Sequence, residues 1–192
     1  MSPRVYSSAR QRILDAAERV ILQSGLHGLS IDAVLVAAKI SKGGFFHHFA
    51  TKEELLAAIV ERLSSVVDGQ IAELSAKDRR TRGKKLRAQI QLALDMPPTD
   101  RDRLRTLVLA LVAAAMESKA IANAARMANR KALSLAVSDG VPTGPALVVQ
   151  LALDGFWLAE SLDTMALDKR QKQAFRDALL ALAEPKPRRG KP

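Results

Sequence analysis

An all-α fold is what this sequence predicts, and three observations lead there. The eight prolines fall at positions 3, 97, 98, 142, 145, 185, 187 and 192, which leaves three long proline-free stretches. Within them the apolar residues recur at a spacing near 3.6, with almost no strict alternation. The composition, 48% hydrophobic and 26% charged over 192 residues, is that of a globular chain able to bury a core. About nine helices are expected: a three-helix helix-turn-helix module, then a larger helical regulatory and dimerisation body.

The first helix is read over about 8–23, with Ile13, Ala16, Ala17, Val20 and Ile21 as its apolar stripe. Asp15 and Arg19 are spaced to pair on its wet side. Gly25 closes it, as glycine commonly does just past a helix end. Ser30 then caps a short second helix carrying Ile31, Val34 and Leu35. After the break Ala38-Lys39-Ile40, Ser41 caps a third, very short helix through His47. Thr51-Lys-Glu-Glu54 reads as a capping box that opens a long fourth helix reaching toward Leu74.

The stretch 77–87, KDRRTRGKKLR, holds seven basic residues and one acidic. It reads first as a solvated turn and second as a DNA contact. A helix to about Asp95, the Pro97-Pro98 break, and helices over about 100–116 and 119–138 follow. The turn DGVPTGP precedes a strongly apolar helix over 146–162, and the last helix spans roughly 168–183. The ending EPKPRRGKP is too rich in proline and basic residues to fold, so it reads as a tail. The expected division is 1–52 for the DNA-binding module, with the start of helix four to about 63, then 53–184 for the ligand-binding and dimerisation body, and 185–192 for the basic tail.

Several function classes drop out. The chain has no cysteine, which removes disulfides, thiol catalysis, iron–sulfur clusters and thiolate zinc sites. Three histidines leave little for a metal: His47 and His48 are adjacent, and His27 sits in a glycine-flanked turn. No Ser/His/Asp set or phosphate loop appears, and Ser118-Lys119 is too slight a cue for an enzyme, so neither catalysis nor a cofactor is expected. The longest apolar run, 107–116, is half the roughly 20 residues a membrane span needs. The N-terminus, MSPRVYSSARQRILDAAERV, is charged too early and too often for a signal peptide, which points to a cytoplasmic protein. Thirty Lys and Arg against twenty Asp and Glu leave a net charge of +10, favouring a polyanionic partner.

Two short helices joined by three residues, the second one capped, are the sequence form of a helix-turn-helix. The first must pack an apolar face on its neighbours, which Val34, Leu35 and Ala38 supply. The second must offer its N-terminus to a DNA phosphate, where Ser41, Lys42, Gly43 and Gly44 sit. Two glycines in so short a helix cost about 1 kcal/mol each relative to alanine. Close approach of the backbone to DNA explains them; loose helix-end geometry is the other explanation.

The run 13–63, ILDAAERVILQSGLHGLSIDAVLVAAKISKGGFFHHFATKEELLAAIVERL, closely resembles the N-terminal domain of TetR-type transcriptional repressors. The resemblance rests on the SKG opening, the aromatic-aromatic-His-His-Phe core and the K-E-E-L-L start of helix four, in order. It implies that Ser41, Lys42 and Gly43 lie on a phosphate and enter the major groove, with Ser30 at the start of the preceding helix. It implies a phosphate contact for Lys52 and a DNA-facing position for His47 and His48. Gly44 stands where the family commonly has a base-touching Thr, and Phe46 where a Tyr usually gives its hydroxyl to a phosphate. Lys39 stands where Gly usually makes the turn, a left-handed conformation that costs another residue about 1 kcal/mol. Leu35 replaces a usually small residue between the two short helices. These departures bear on sequence preference, not on DNA binding. Phe45 and Phe49 read as core.

The resemblance further implies a homodimer that binds a palindromic operator in double-stranded DNA and releases it when a small apolar or cationic ligand enters the body. A non-specific or architectural DNA-binding protein without an effector is the alternative, because affinity for phosphate is sequence-independent. The helix 146–162 is apolar nearly all round, so it should be buried on two sides, the second being another subunit. The last helix, with Phe175, Leu179, Leu180 and Leu182, would be its neighbour, and Gly155 would let helices approach closely. Asp154 is a carboxylate among Leu151, Leu153, Phe156 and Trp157. It pairs across the interface, meets a ligand, or is exposed. Leu107, Leu111, Met116, Met127 and Trp157 are the remaining ligand candidates, with ordinary core packing as the competing reading.

Overall fold

A computed structural model of the chain describes residues 8–184, and the tail expected at 185–192 lies outside them. Among the described residues there are nine α-helices and no strand. In order they are α1 Ala9–Gly28, α2 Ile31–Ala38, α3 Lys42–Phe46, α4 Lys52–Lys77, α5 Lys84–Asp95, α6 Pro98–Glu117, α7 Lys119–Val137, α8 Thr143–Ser161 and α9 Lys169–Ala183.

The helix ends follow their side-chain chemistry. Ser8, Ser30, Ser41 and Asp168 each accept a hydrogen bond from a backbone N–H in the first turn, satisfying donors that the helix itself cannot. At Asp168 the bond is reciprocated by Gln171. Gly25 takes φ 66 and ψ −174, so α1 is broken there, and 26–28 add one irregular turn past the expected end. Two helices start earlier than expected for one reason. Pro98 and Pro145 lie in the first turns of α6 and α8, where a missing N–H forfeits no helical bond.

The chain divides into two compact units, with α4, α6 and α7 contributing to both. The first holds the described residues up to Ser64 and Arg101–Ala128. Its core joins Ile13, Leu14 and Ile21 of α1, Val34 and Ala38 of α2, Phe45, Phe49, and Leu55 and Ile59 of α4. Leu107 and Leu111 of α6 complete it. Phe45 is fully buried, a side chain whose removal from water contributes roughly 1.5–3 kcal/mol. One expectation fails here. Asp15 pairs with Arg62 of α4 at 2.5 Å instead of with Arg19, whose guanidinium donates to the Ala37 carbonyl at 3.1 Å. A long arginine from a neighbouring helix reaches the carboxylate, and Arg19 reaches the end of α2.

The second unit is Ser65–Asp100 with the described residues from Asn129 onward. Helices α5, α8 and α9 pack together around Leu86, Ile90, Leu94, Val149, Leu153, Phe156 and Leu179. The Phe156 and Phe175 rings meet at 5.6 Å between centroids. The basic stretch 77–87 is a structural joint of this unit. Asp78 accepts from Arg80 at 3.0 Å and from Arg87 at 2.7 Å, and Arg80 reaches Glu184 at 2.7 Å. Lys85 donates its backbone N–H to Asp139 at 2.8 Å and its ammonium to Ser138 at 2.9 Å.

Candidate nucleic-acid interface

The module that could meet DNA is assembled from α1 inward. Phe45 and Phe49 lie 5.9 Å apart between ring centroids and are both buried, anchoring α3 and the start of α4 against α1. With those rings inside, the intervening positions face out. Phe46 is 43% exposed and stands edge-on to Phe45, and His47 is exposed beside a half-buried His48 with their rings 5.0 Å apart. Ser41, Lys42 and Gly43 are exposed, and Gly44 is half-buried. The Ser41 hydroxyl accepts from the Gly44 N–H at 3.1 Å.

A Cβ added at Gly43 would meet nothing within 4 Å, so packing within the protein does not require glycine there. At Gly44 the nearest atom, the Ser41 hydroxyl oxygen, would stand at an ordinary 3.4 Å. Packing within the protein therefore gives no reason for either glycine, and both close approach from outside and loose helix-end geometry fit the space around them.

Lys52 is the first residue of α4 and is half-buried. The Thr51 hydroxyl accepts from the Glu54 N–H at 3.1 Å. The Glu54 carboxylate reaches back one residue further than expected, to the Ala50 N–H at 2.7 Å, so the loop from Phe49 to Lys52 is tied at both ends. Ser30 is exposed and caps α2 through the Ala33 N–H at 3.1 Å. Lys39 adopts φ 53 and ψ 53, the left-handed turn that its position requires.

Sequence reasoning missed two features of this unit. Arg10 places its guanidinium 5.3 Å from the centre of the Phe49 ring, within reach of a cation–π contact. Glu18 is buried, and its carboxylate accepts from Arg62 at 2.9 Å and from Arg103 of α6 at 2.9 Å. A signal for the second was present. Glu18 lies within the apolar stripe of α1, and Arg62 follows Leu55 and Ile59 at helical spacing. A buried carboxylate needs such a cation.

The residues named for a ligand fall into both units. In the first unit Leu107 and Leu111 are core, whereas Met116 and Met127 are 84% and 70% exposed. In the second, Trp157 is half-buried against the core. Asp154 is not buried within the chain. It stands on the exposed face of α8, accepting from the Gln150 amide at 3.0 Å. Desolvation by its surroundings raises its pKa, and the Gln150 hydrogen bond works against that rise. The same face carries Leu147, Val148, Leu151, Gly155, Leu158 and Leu162, all exposed. On α9 the exposed positions include Ala174, Ala178 and Ala181.

Comparison with known proteins decides the family. Residues 13–59 match the family described as bacterial regulatory proteins, tetR family, and residues 83–184 match the tetracyclin repressor-like C-terminal domain. The chain belongs to the TetR family. That family is one of DNA-binding transcriptional regulators, and the stretch matched by its N-terminal model holds α2 and α3 whole. The HTH-type transcriptional regulator PksA of Bacillus subtilis is 30% identical over 102 residues, which are 53% of this chain and 48% of PksA. UidR of Escherichia coli is 41% identical over 51 residues, 27% of this chain and 26% of UidR. The matched stretches thus span half or less of these relatives. Among solved structures, the multidrug binding protein EbrR complexed with ethidium has a TM-score of 0.70 at 25% identity, covering 92% of this chain and 99% of EbrR. The regulator SCO7518 of Streptomyces coelicolor has a TM-score of 0.76 at 18% identity, covering 93% and 100%. No helix among the described residues is long and apolar enough to cross a membrane.

Proposed function

We propose that this TetR-family protein is a homodimeric repressor that binds a palindromic operator and leaves it when a small apolar or cationic ligand binds. The observation that carries the DNA half is the outward set on one module: Ser41, Lys42, Gly43, Phe46 and His47 exposed around the buried Phe45 and Phe49, with Lys52 at the next helix start. Lys52 supplies a phosphate contact. Lys42 is the long polar side chain on α3, since Gly43 and Gly44 have none to read a base. His48 and Ser30 border this surface. Residues 1–52 act as the DNA-binding module and 53–184 as the effector-binding and dimerising body.

Support for the dimer is the exposed apolar face of α8, from Leu147 to Leu162, beside the small residues of α9. A contiguous apolar patch of that kind marks an interaction surface, and a two-fold pairing of α8 and α9 would bury it. The dimer also matches two half-sites of a palindrome. EbrR, solved with ethidium, a flat aromatic cation, supports the ligand class. Trp157, half-buried on α8, and Asp154 on the same helix are the residues proposed to respond to it. Selection of bound duplexes from a random pool tests this reading. A recovered inverted repeat supports it, and a pool that stays random with undiminished affinity favours architectural binding instead.

A further inference from the structure

We propose that Lys39, in the turn between the two short helices, is an additional DNA-phosphate contact; the inference rests on the DNA-binding reading above. Helix α2 ends in two backbone hydrogen bonds, from the Lys39 N–H to the Val36 carbonyl at 3.3 Å and from the Ile40 N–H to the Leu35 carbonyl at 3.2 Å. That is the bonding pattern of a helix end whose next residue must turn left-handed, a place that favours glycine. Lys39 occupies it at φ 53, one of two non-glycine residues with positive φ among those described. The turn is held firmly, because Arg19 caps the Ala37 carbonyl at 3.1 Å and Ile40 packs on the core.

Lys39 is exposed, and no carboxylate among the described residues pairs with it. Its ammonium therefore stands free on the connection that leads into Ser41 and Lys42. A strained residue held by its surroundings points to a role for the side chain that glycine would lack. Here that side chain is a cation three residues ahead of Lys42. A cation past a helix end also gains from the helix dipole, but that gain acts on stability and leaves DNA binding unchanged.

The test measures affinity against salt, between about 50 and 200 mM, on a selected operator and on a random-sequence duplex. The proteins are the parent, Lys39→Gly, Lys39→Gln, Lys39→Arg and Lys52→Ala. Lys39→Gly and Lys39→Gln should both make the salt slope shallower by about one unit per protomer on both duplexes. Lys39→Arg should keep the parent slope, and Lys39→Gly should melt no lower than the parent. Parent slopes in both Lys39→Gly and Lys39→Gln, beside a lowered slope in Lys52→Ala, would overturn the Lys39 contact and leave the DNA-binding reading standing. A loss seen with glycine alone would assign the effect to turn flexibility and also overturn it. A parent without salt-dependent DNA binding would remove both.

Discussion

Lys42, Lys52 and His47 have different work on the proposed surface, and single substitutions separate them. Lys52→Ala removes a phosphate contact, so it should weaken binding by a similar factor on every sequence and lower the salt slope by about two units per dimer. Lys42→Ala should instead relax sequence choice, by roughly 1–3 kcal/mol per half-site if the ammonium reaches a guanine edge. His47→Ala relaxing it in place of Lys42→Ala would move base reading to His47. Asp78 offers a separate, pH-dependent test. Its hydrogen bonds to Arg80 and Arg87 hold its carboxyl far below the usual range. A folded-state pKa below the unfolded one means stability that is whole above pH ~4 and is lost as the pH falls further. Asp78→Asn should cost about 1.5–3 kcal/mol at neutral pH, because Arg87 is buried with Asp78 as its partner. The same variant should flatten the acid limb of a urea-midpoint titration. An unchanged limb would show that other carboxylates set it.

Helices and their joints were readable in the sequence to different depths. Caps were clear, because Ser30, Ser41 and Thr51 stand ahead of apolar periodicity and their bonds are local. The core of the DNA-binding module was clear as well, since Phe45 and Phe49 frame a motif of fixed order. Contacts between helices distant in sequence were not. The Glu18 pairings with Arg62 and Arg103 join residues 44 and 85 positions apart, which helical spacing cannot rank against the local Asp15–Arg19 alternative. The basic stretch 77–87 likewise shows its charge but hides that Asp78 organises it. Gly83 is the sharpest example. It takes φ 69, and a Cβ there would stand 2.1 Å from the Ala183 carbonyl oxygen. Gly83→Ala should therefore cost more than the roughly 1 kcal/mol of left-handed strain, seen as a lower urea midpoint. A midpoint equal to the parent's would mean α5 and the end of α9 separate freely. Phe45→Ala should cost about 3–5 kcal/mol.

For the molecule as a regulator, assembly and DNA choice belong together. The exposed leucines of α8 predict a dimer, and Gly155→Leu should weaken it, because nothing of its own chain lies within 4 Å of the added Cβ and a partner helix would. Sedimentation giving the same assembly for parent and variant would place Gly155 outside the interface. The 20.8 kDa parent remaining a monomer at micromolar concentration would remove the dimer itself. The ligand residues were the least readable part: apolar side chains such as Leu107 and Leu111 look alike whether they fill a core or line a pocket, and both are core. The central claim is sequence-specific binding by a two-fold dimer, and the ratio of affinities for a selected duplex and for random DNA at one fixed salt concentration tests it most directly. The account predicts an inverted-repeat site bound roughly 10³-fold or more tightly than random DNA. Equal affinity for both would contradict it.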